Sequence, residues 1–504
     1  MNNCSCNDFS NDIKTNQTYP LNNPVLIRKI TGLKNIANSD IKIAYDDYID
    51  KLNLVLMITS TLVLASIIYV LFEKYVFKVK SKIAPIISAF NPYNNLLSLY
   101  SDPPKNDSST ILCINGMRSF SCIMLVWMHY LVDVFCYFIK TFANPDQVTE
   151  IFNSYGVRLL FESRFFTDVF FTLSGFCLTY HFMHTQDKNG NKINLLVYYG
   201  RRYLRVVPPF VAAIFLNNYA TSVLSGPIFY EDNIRKSNFC YNKWLKAVTF
   251  LDFAMPFEQC VFIGWFISFE MRFYLLSPLI LFGIRKWRGK FVALISSIIL
   301  HAIYRNYSAN LVTVAKVKVN APDALLINVF DFEERMAVWL IGIIGGYYMY
   351  RYSKNPIRIP KFFSFINWLI CSVLGVWFFT GYYVSDEFMG SRIFLATQRF
   401  LWAIECCWIA FACHNSYANW LSWFFTLNIW NFIAKLSFCI NLVHEPIIVI
   451  YAKQFNFPYE YNKLQEVIRS CGIILLSIFA AIPWTIFFEM PFVNLGKMVQ
   501  KHFG

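Results

Sequence analysis

The 504 residues are 56% apolar and 19% aromatic but only 15% charged. A soluble domain carries about a quarter charged residues, so this chain has too little charge to coat a water-facing surface of its size. The formal net charge of +14 does not make it a nucleic-acid binder, because its Lys and Arg residues are spread over short connections with no nucleic-acid motif beside them.

Residues 1–51 are polar and lack the pattern of a cleavable signal peptide. An apolar run at 52–72 predicts an anchor helix, and a basic linker at 73–112 carries Lys74, Lys78, Lys80 and Lys82. Ten further apolar runs lie at roughly 119–139, 161–183, 204–224, 262–284, 291–308, 335–352, 363–384, 393–413, 430–452 and 468–489. A bilayer needs about 20 apolar residues per helix, whereas barrel strands alternate over about ten. The expected architecture is therefore an all-α polytopic membrane protein of about eleven transmembrane helices. It divides into the segment 1–51, the anchor, the linker, a membrane domain at 113–490 and a tail at 491–504.

Loop charge predicts orientation. Basic connections around Lys188 to Arg202, Arg285 to Lys290 and Arg351 to Lys361 alternate with acidic or mixed ones around Glu231 and Asp386. The basic side and the C-terminal tail are expected in the cytosol. The N-terminus is expected in the lumen or outside the cell, and the endoplasmic reticulum and plasma membrane fit equally. Glycosylation acceptors at Asn3, Asn16 and Asn306 fall on the non-cytosolic side of this scheme. The fourteen cysteines include no CxxC pair and no zinc spacing, so no metal is expected. A Cys240–Cys260 disulfide requires an oxidising compartment.

Ionisable residues inside apolar runs are functional candidates by default. Arg118 and His129 are eleven positions apart, about three helical turns, and so share one helix face. Neutral His is a competent general base near pH 7, and Asp133, one turn further, could orient it. On spacing alone a packing role for His129 is equally open. Asp168, Ser174 and Gly175 by themselves read as a helix-packing block. Arg202 and Arg205 share a face and offer planar forks suited to phosphate, although ordinary interfacial anchoring explains them as well. Glu270 and Arg272 are two apart and face different ways, so each needs its own partner. His444 is a second intramembrane histidine, which a proline-linked break at Pro446 could turn toward a cavity.

Taken in order, these segments resemble the membrane acyltransferase-3 family, and within it the invertebrate nose-resistant-to-fluoxetine-like branch. Gly116, Arg118 and His129 match its opening pattern. Asp168 to Gly175 match its second block, and Arg202, Arg205 and Pro208 its third. Trp265, Glu270, Phe273 and Tyr274 resemble the fourth. Ser437 to His444 resemble the fifth, with Asn441 where a tyrosine usually stands. The resemblance implies a ten-helix acyltransferase-3-like bundle behind the anchor. It also implies transfer of an acyl group from acyl-CoA to a hydroxyl of a lipid, glycan or small molecule, with acyl-CoA as co-substrate and no bound cofactor. His129, assisted by Asp133, would be the base. Arg118, Arg202, Arg205, Asp168, Ser174, Glu270 and His444 would bind substrate. The implied partners are membrane lipids, acyl-CoA and a hydroxyl-bearing acceptor, reached directly or through a separate acceptor-handling protein. The competing readings are a lipid or lipophile carrier and a non-catalytic regulatory member.

Overall fold

The computed structural model describes residues 64, 68, 84–101, 111–132, 143–152, 165–189, 194–223, 244–250, 260–261, 263–317, 331–356, 358–380, 389–452 and 459–503. The segment 1–51, most of the anchor, Asp133 and Cys240 lie outside them. Among the described residues every regular element is helical: α1 (Ala84–Ala89), α2 (Pro92–Tyr100), α3 (Cys113–Val132), α4 (Pro145–Phe152), α5 (Phe165–Asn189), α6 (Leu195–Val223), α7 (Gly264–Trp287), α8 (Gly289–Val317), α9 (Phe332–Lys354), α10 (Lys361–Thr380), α11 (Met389–His414), α12 (Asn419–Phe425), α13 (Asn428–Ala452), α14 (Lys463–Trp484) and α15 (Met490–Phe503). Each of the ten apolar runs after the anchor has its helix. Among the described residues, three continuous helical stretches are long and apolar enough to cross a membrane by length and composition: Gly264–Trp287, Asn428–Ala452 and Lys463–Lys501. The chain is an all-α membrane protein.

Close packing is built on small residues. Helix α9 lies against α5, and a Cβ at Gly342 would collide with the Thr172 carbonyl while one at Gly346 would collide with that of Phe176. From the other side, a Cβ at Gly175 would meet the Trp339 carbonyl. Such spacing lets helix backbones approach where no hydrophobic effect drives them together. One apolar core joins α3, α13 and α14 through Cys122, Val126, Leu436, Ile440 and Ile473. A second joins α5, α7, α9 and α11 through Phe171, Phe273, Trp339 and Phe400.

The linker is more structured than its polar, basic composition suggests. Asn91 caps α2 by accepting from the Tyr93 and Asn94 amides. At the other end of α2, Lys435 Nζ donates to the carbonyls of Ser98 and Leu99 at 2.9 and 3.0 Å, where a cation suits both the orphan carbonyls and the helix dipole. Helices α1 and α2 thus form a strap docked on the end of the bundle.

The last apolar run contains a π turn at Thr485–Glu489. Pro491 stands two positions beyond it. The Met490 amide reaches back five residues to Thr485 O, but the next position is proline and has no N–H. The Ile486 carbonyl would therefore go unpaired. Asn95 of the strap, itself buried, supplies the donor at 3.3 Å.

Two expectations need correction. Pro446 does not break α13, which runs unbroken from Asn428 to Ala452. Asn306 lies within α8, and its amide donates to Glu334 Oε1 at 2.9 Å and to Ala396 O at 3.4 Å. An amide engaged in this way inside a helix is not a glycan acceptor. Cys260 is disulfide-bonded, and its partner falls outside the described residues.

Candidate active site

A cavity of about 450 Å³ opens between α3, α5, α6, α7 and α13. Arg118, Ser174, Arg202, Arg205, Glu270 and Asn441 line it, so five stretches up to 323 residues apart in sequence (118 to 441) meet there. Glu270, 7% exposed, is the polar centre. Its Oε2 accepts from Ser174 Oγ at 2.8 Å and from Arg202 Nη2 at 2.9 Å. The Arg202 guanidinium also lies over the Tyr274 ring, 5.0 Å from its centroid, a favourable cation–π placement. Glu270 Oε1 and Arg202 Nε are buried without a hydrogen-bond partner among the described residues. They present one acceptor and one donor beside the cavity, and buried polar atoms of this kind call for an explanation.

Arg205 is held by a residue that sequence reading passed over. Its Nε donates to Glu489 Oε1 at 3.0 Å, and Cys439 Sγ lies 3.2 Å from Glu489 Oε2. The π turn directs this buried carboxylate toward α6. The available signal was the rule already applied to other helices: an acid inside an apolar run, here two residues before a proline.

A histidine pair lies beyond the cavity lining. His129 Nδ1 and His444 Nε2 are 2.7 Å apart. The rings stack at 15° with centroids 5.0 Å apart. His444 Nδ1 is 3.1 Å from the Ile440 carbonyl. A carbonyl only accepts, so His444 carries its proton on Nδ1, and its Nε2 accepts from His129 Nδ1–H. For neutral rings this fixes His129 Nε2 as the nitrogen with the lone pair. Neither histidine lines the cavity. On α13 the lining reaches Asn441, one turn before His444, and on α3 it reaches Arg118, about three turns before His129.

Asp168 sits elsewhere. It is fully buried and forms ion pairs with Arg335 and, at 3.3 Å, with Arg399, which in turn pairs with Glu334 at 3.3 Å. These partners come from α9 and α11, away from the cavity lining. Arg272, which faces away from Glu270, donates to the Phe250 carbonyl at 3.1 Å. Asp133, expected to assist His129, lies outside the described residues.

The family model for an acyltransferase domain matches residues 111–489. The chain belongs to the acyltransferase-3 family. It is 21% identical to nose resistant to fluoxetine protein 6 of Caenorhabditis elegans over 93% of its own length and 63% of that protein. The chain thus spans less than two thirds of that relative. No solved structure matches it. Membership covers Arg118, His129, Ser174, Glu270, Asn441 and His444 alike, since all lie inside the matched range.

Proposed function

We propose that this acyltransferase-3 member is a membrane O-acyltransferase that moves an acyl group from acyl-CoA to a hydroxyl of a lipid, glycan or small molecule. The observation that carries the reading is a polar, arginine-lined cavity joined by one helix, α3, to a hydrogen-bonded histidine pair. Arg118, Arg202 and Arg205 bind the CoA phosphates, a role suited to guanidinium forks. Glu270 Oε1 and Arg202 Nε pair with amide groups of the pantetheine arm. The arm leads the thioester past Asn441 to the histidines.

In the reaction His129 Nε2 takes the proton of the acceptor hydroxyl as the oxygen attacks the thioester carbonyl. The tetrahedral adduct collapses, the carbon–sulfur bond breaks, and the CoA sulfur takes the proton back from Nε2. His444 is a positioning residue: it fixes the His129 tautomer and accepts from the imidazolium formed in passing. The acceptor reaches the pair from the bilayer or the opposite face, so the acyl group crosses without CoA. On this reading the arginine-lined end faces the cytosol, the N-terminus lies on the other side, and about eleven helices span the endoplasmic reticulum or plasma membrane.

A second reading, a lipid or lipophile carrier, is favoured by one observation: the cavity lining stops at Asn441, short of both histidines. Purified protein in lipid nanodiscs separates the two. Acceptor-dependent release of CoA from a panel of acyl-CoAs, with a crude lipid and glycan extract as acceptor, supports the enzyme. Saturable acyl-CoA or lipid binding with no CoA release supports the carrier and overturns the enzyme.

A further inference from the structure

A second cavity, of about 690 Å³, lies between the C-terminal ends of α5, α7 and α9. It shares no lining residue with the candidate active site. Arg285, Lys286, Arg288, Arg351 and Lys354 line it against one carboxylate, Asp187. Asp187 pairs with Arg285 at 3.3 Å and with Lys354, and accepts from Tyr350 Oη at 2.7 Å. Burial alone would raise its carboxyl, but hydrogen bonds from Lys354 and Tyr350 outweigh that and hold it below the usual carboxylate range. One carboxylate thus serves two of the five cations. Lys286, Arg288 and Arg351 have no acidic partner among the described residues.

We propose that this cavity binds the headgroup phosphates of an anionic phospholipid. Four to eight cations at the membrane edge of a helical bundle suit such headgroups. A free soluble phosphate fits the surroundings less well, because the cavity rim continues into an apolar outer face. On α7, Leu275, Leu279 and Phe282 are 50%, 74% and 37% exposed and lead to Lys286 in steps of three and four residues, along one face. Acyl chains lying on that stripe put the phosphates at the cavity. Trp287, exposed beside Lys286, is the residue type found at headgroup level. The backbone agrees: Arg288 ends α7 at φ 46°, a left-handed value that favours glycine, although Gly289 stands beside it. A strained position that nevertheless holds an arginine fits a side chain needed in the cavity. The inference does not depend on acyl transfer.

The test uses the full chain, delipidated in detergent, with native mass spectrometry counting bound dioctanoyl phosphatidylinositol 4-phosphate. One lipid per chain is expected, with little retention of dioctanoyl phosphatidylcholine. The double variant Arg288→Gln, Arg351→Gln should bind about 25-fold more weakly, about fivefold per cation removed. Asp187→Asn, which adds net positive charge, should bind about fivefold more tightly. Equal binding by wild type and double variant overturns the proposal. If the double variant does not fold, Asp187→Asn decides: unchanged or weaker binding overturns it. Displacement by free CoA or inorganic phosphate at concentrations equal to the lipid also overturns it and gives the cavity to soluble phosphates.

Discussion

A single proton assignment orders the deep site. The Ile440 carbonyl decides which nitrogen of His444 is protonated, and that choice passes to His129. Replacing His444 with Ala removes the group that fixes the tautomer, and the rate should fall by about 10²–10⁴ with little change in KM for acyl-CoA. Steady-state kinetics in nanodiscs checks this; a raised KM at constant kcat would make His444 a binding residue instead. Glu489→Gln should do the reverse, raising KM for acyl-CoA several-fold by loosening Arg205 while kcat stays within about twofold. Asp168 carries a different prediction. Its removal breaks two buried ion pairs, to Arg335 and Arg399, a change that costs about 3–5 kcal/mol, so Asp168→Ala should appear as lost thermal stability and lost monodisperse protein. These residues also mark what sequence could yield. His129, Glu270 and His444 stood out as ionisable side chains in apolar runs, whereas Arg118 lies just before its run and Ser174 by itself read as helix packing. The contact between His129 and His444 was not legible, since 315 positions separate them and no local pattern encodes which helices meet. Asp168 illustrates the same gap: its block was readable, but its partners Arg335 and Arg399 belong to distant helices, so only packing reveals an ion-pair role.

At the scale of elements, the helices themselves were written in the long apolar runs, and each run after the anchor has one. What hydropathy leaves out is the irregular backbone that aims side chains. The π turn before Pro491 is such a feature, and it brings Glu489 to Arg205 and the Ile486 carbonyl to Asn95. Pro491→Ala restores an amide donor and lets the turn relax to α-helix. Glu489 should then rotate off Arg205, and acyl-CoA binding should weaken as in Glu489→Gln; unchanged binding would show that the turn does not position the arginine. The α5–α9 contact is the other irregular demand. Gly342→Ala forces a methyl group into the Thr172 carbonyl and should cost about 1–3 kcal/mol through overpacking, read as a lower unfolding temperature in micelles. The docked strap α1–α2 was invisible to hydropathy because it is short and mixes polar anchors, Asn95 and the reach of Lys435, with single apolar ones such as Phe90 and Leu99.

The whole molecule places two basic cavities toward one end of the bundle and a histidine pair deeper in it. Part of the positive charge that composition reports as a sum lines these two cavities, where phosphates of two kinds are proposed to bind. The chain belongs to an acyltransferase family, and acyl transfer is the function proposed for this layout. The most direct test follows acyl transfer and acyl-CoA binding together in nanodiscs, for wild type and His129→Ala. His129→Ala should bind acyl-CoA as tightly as wild type, because His129 lies outside the cavity lining, yet release no acceptor-dependent CoA. Retained turnover in that variant would remove His129 from the mechanism.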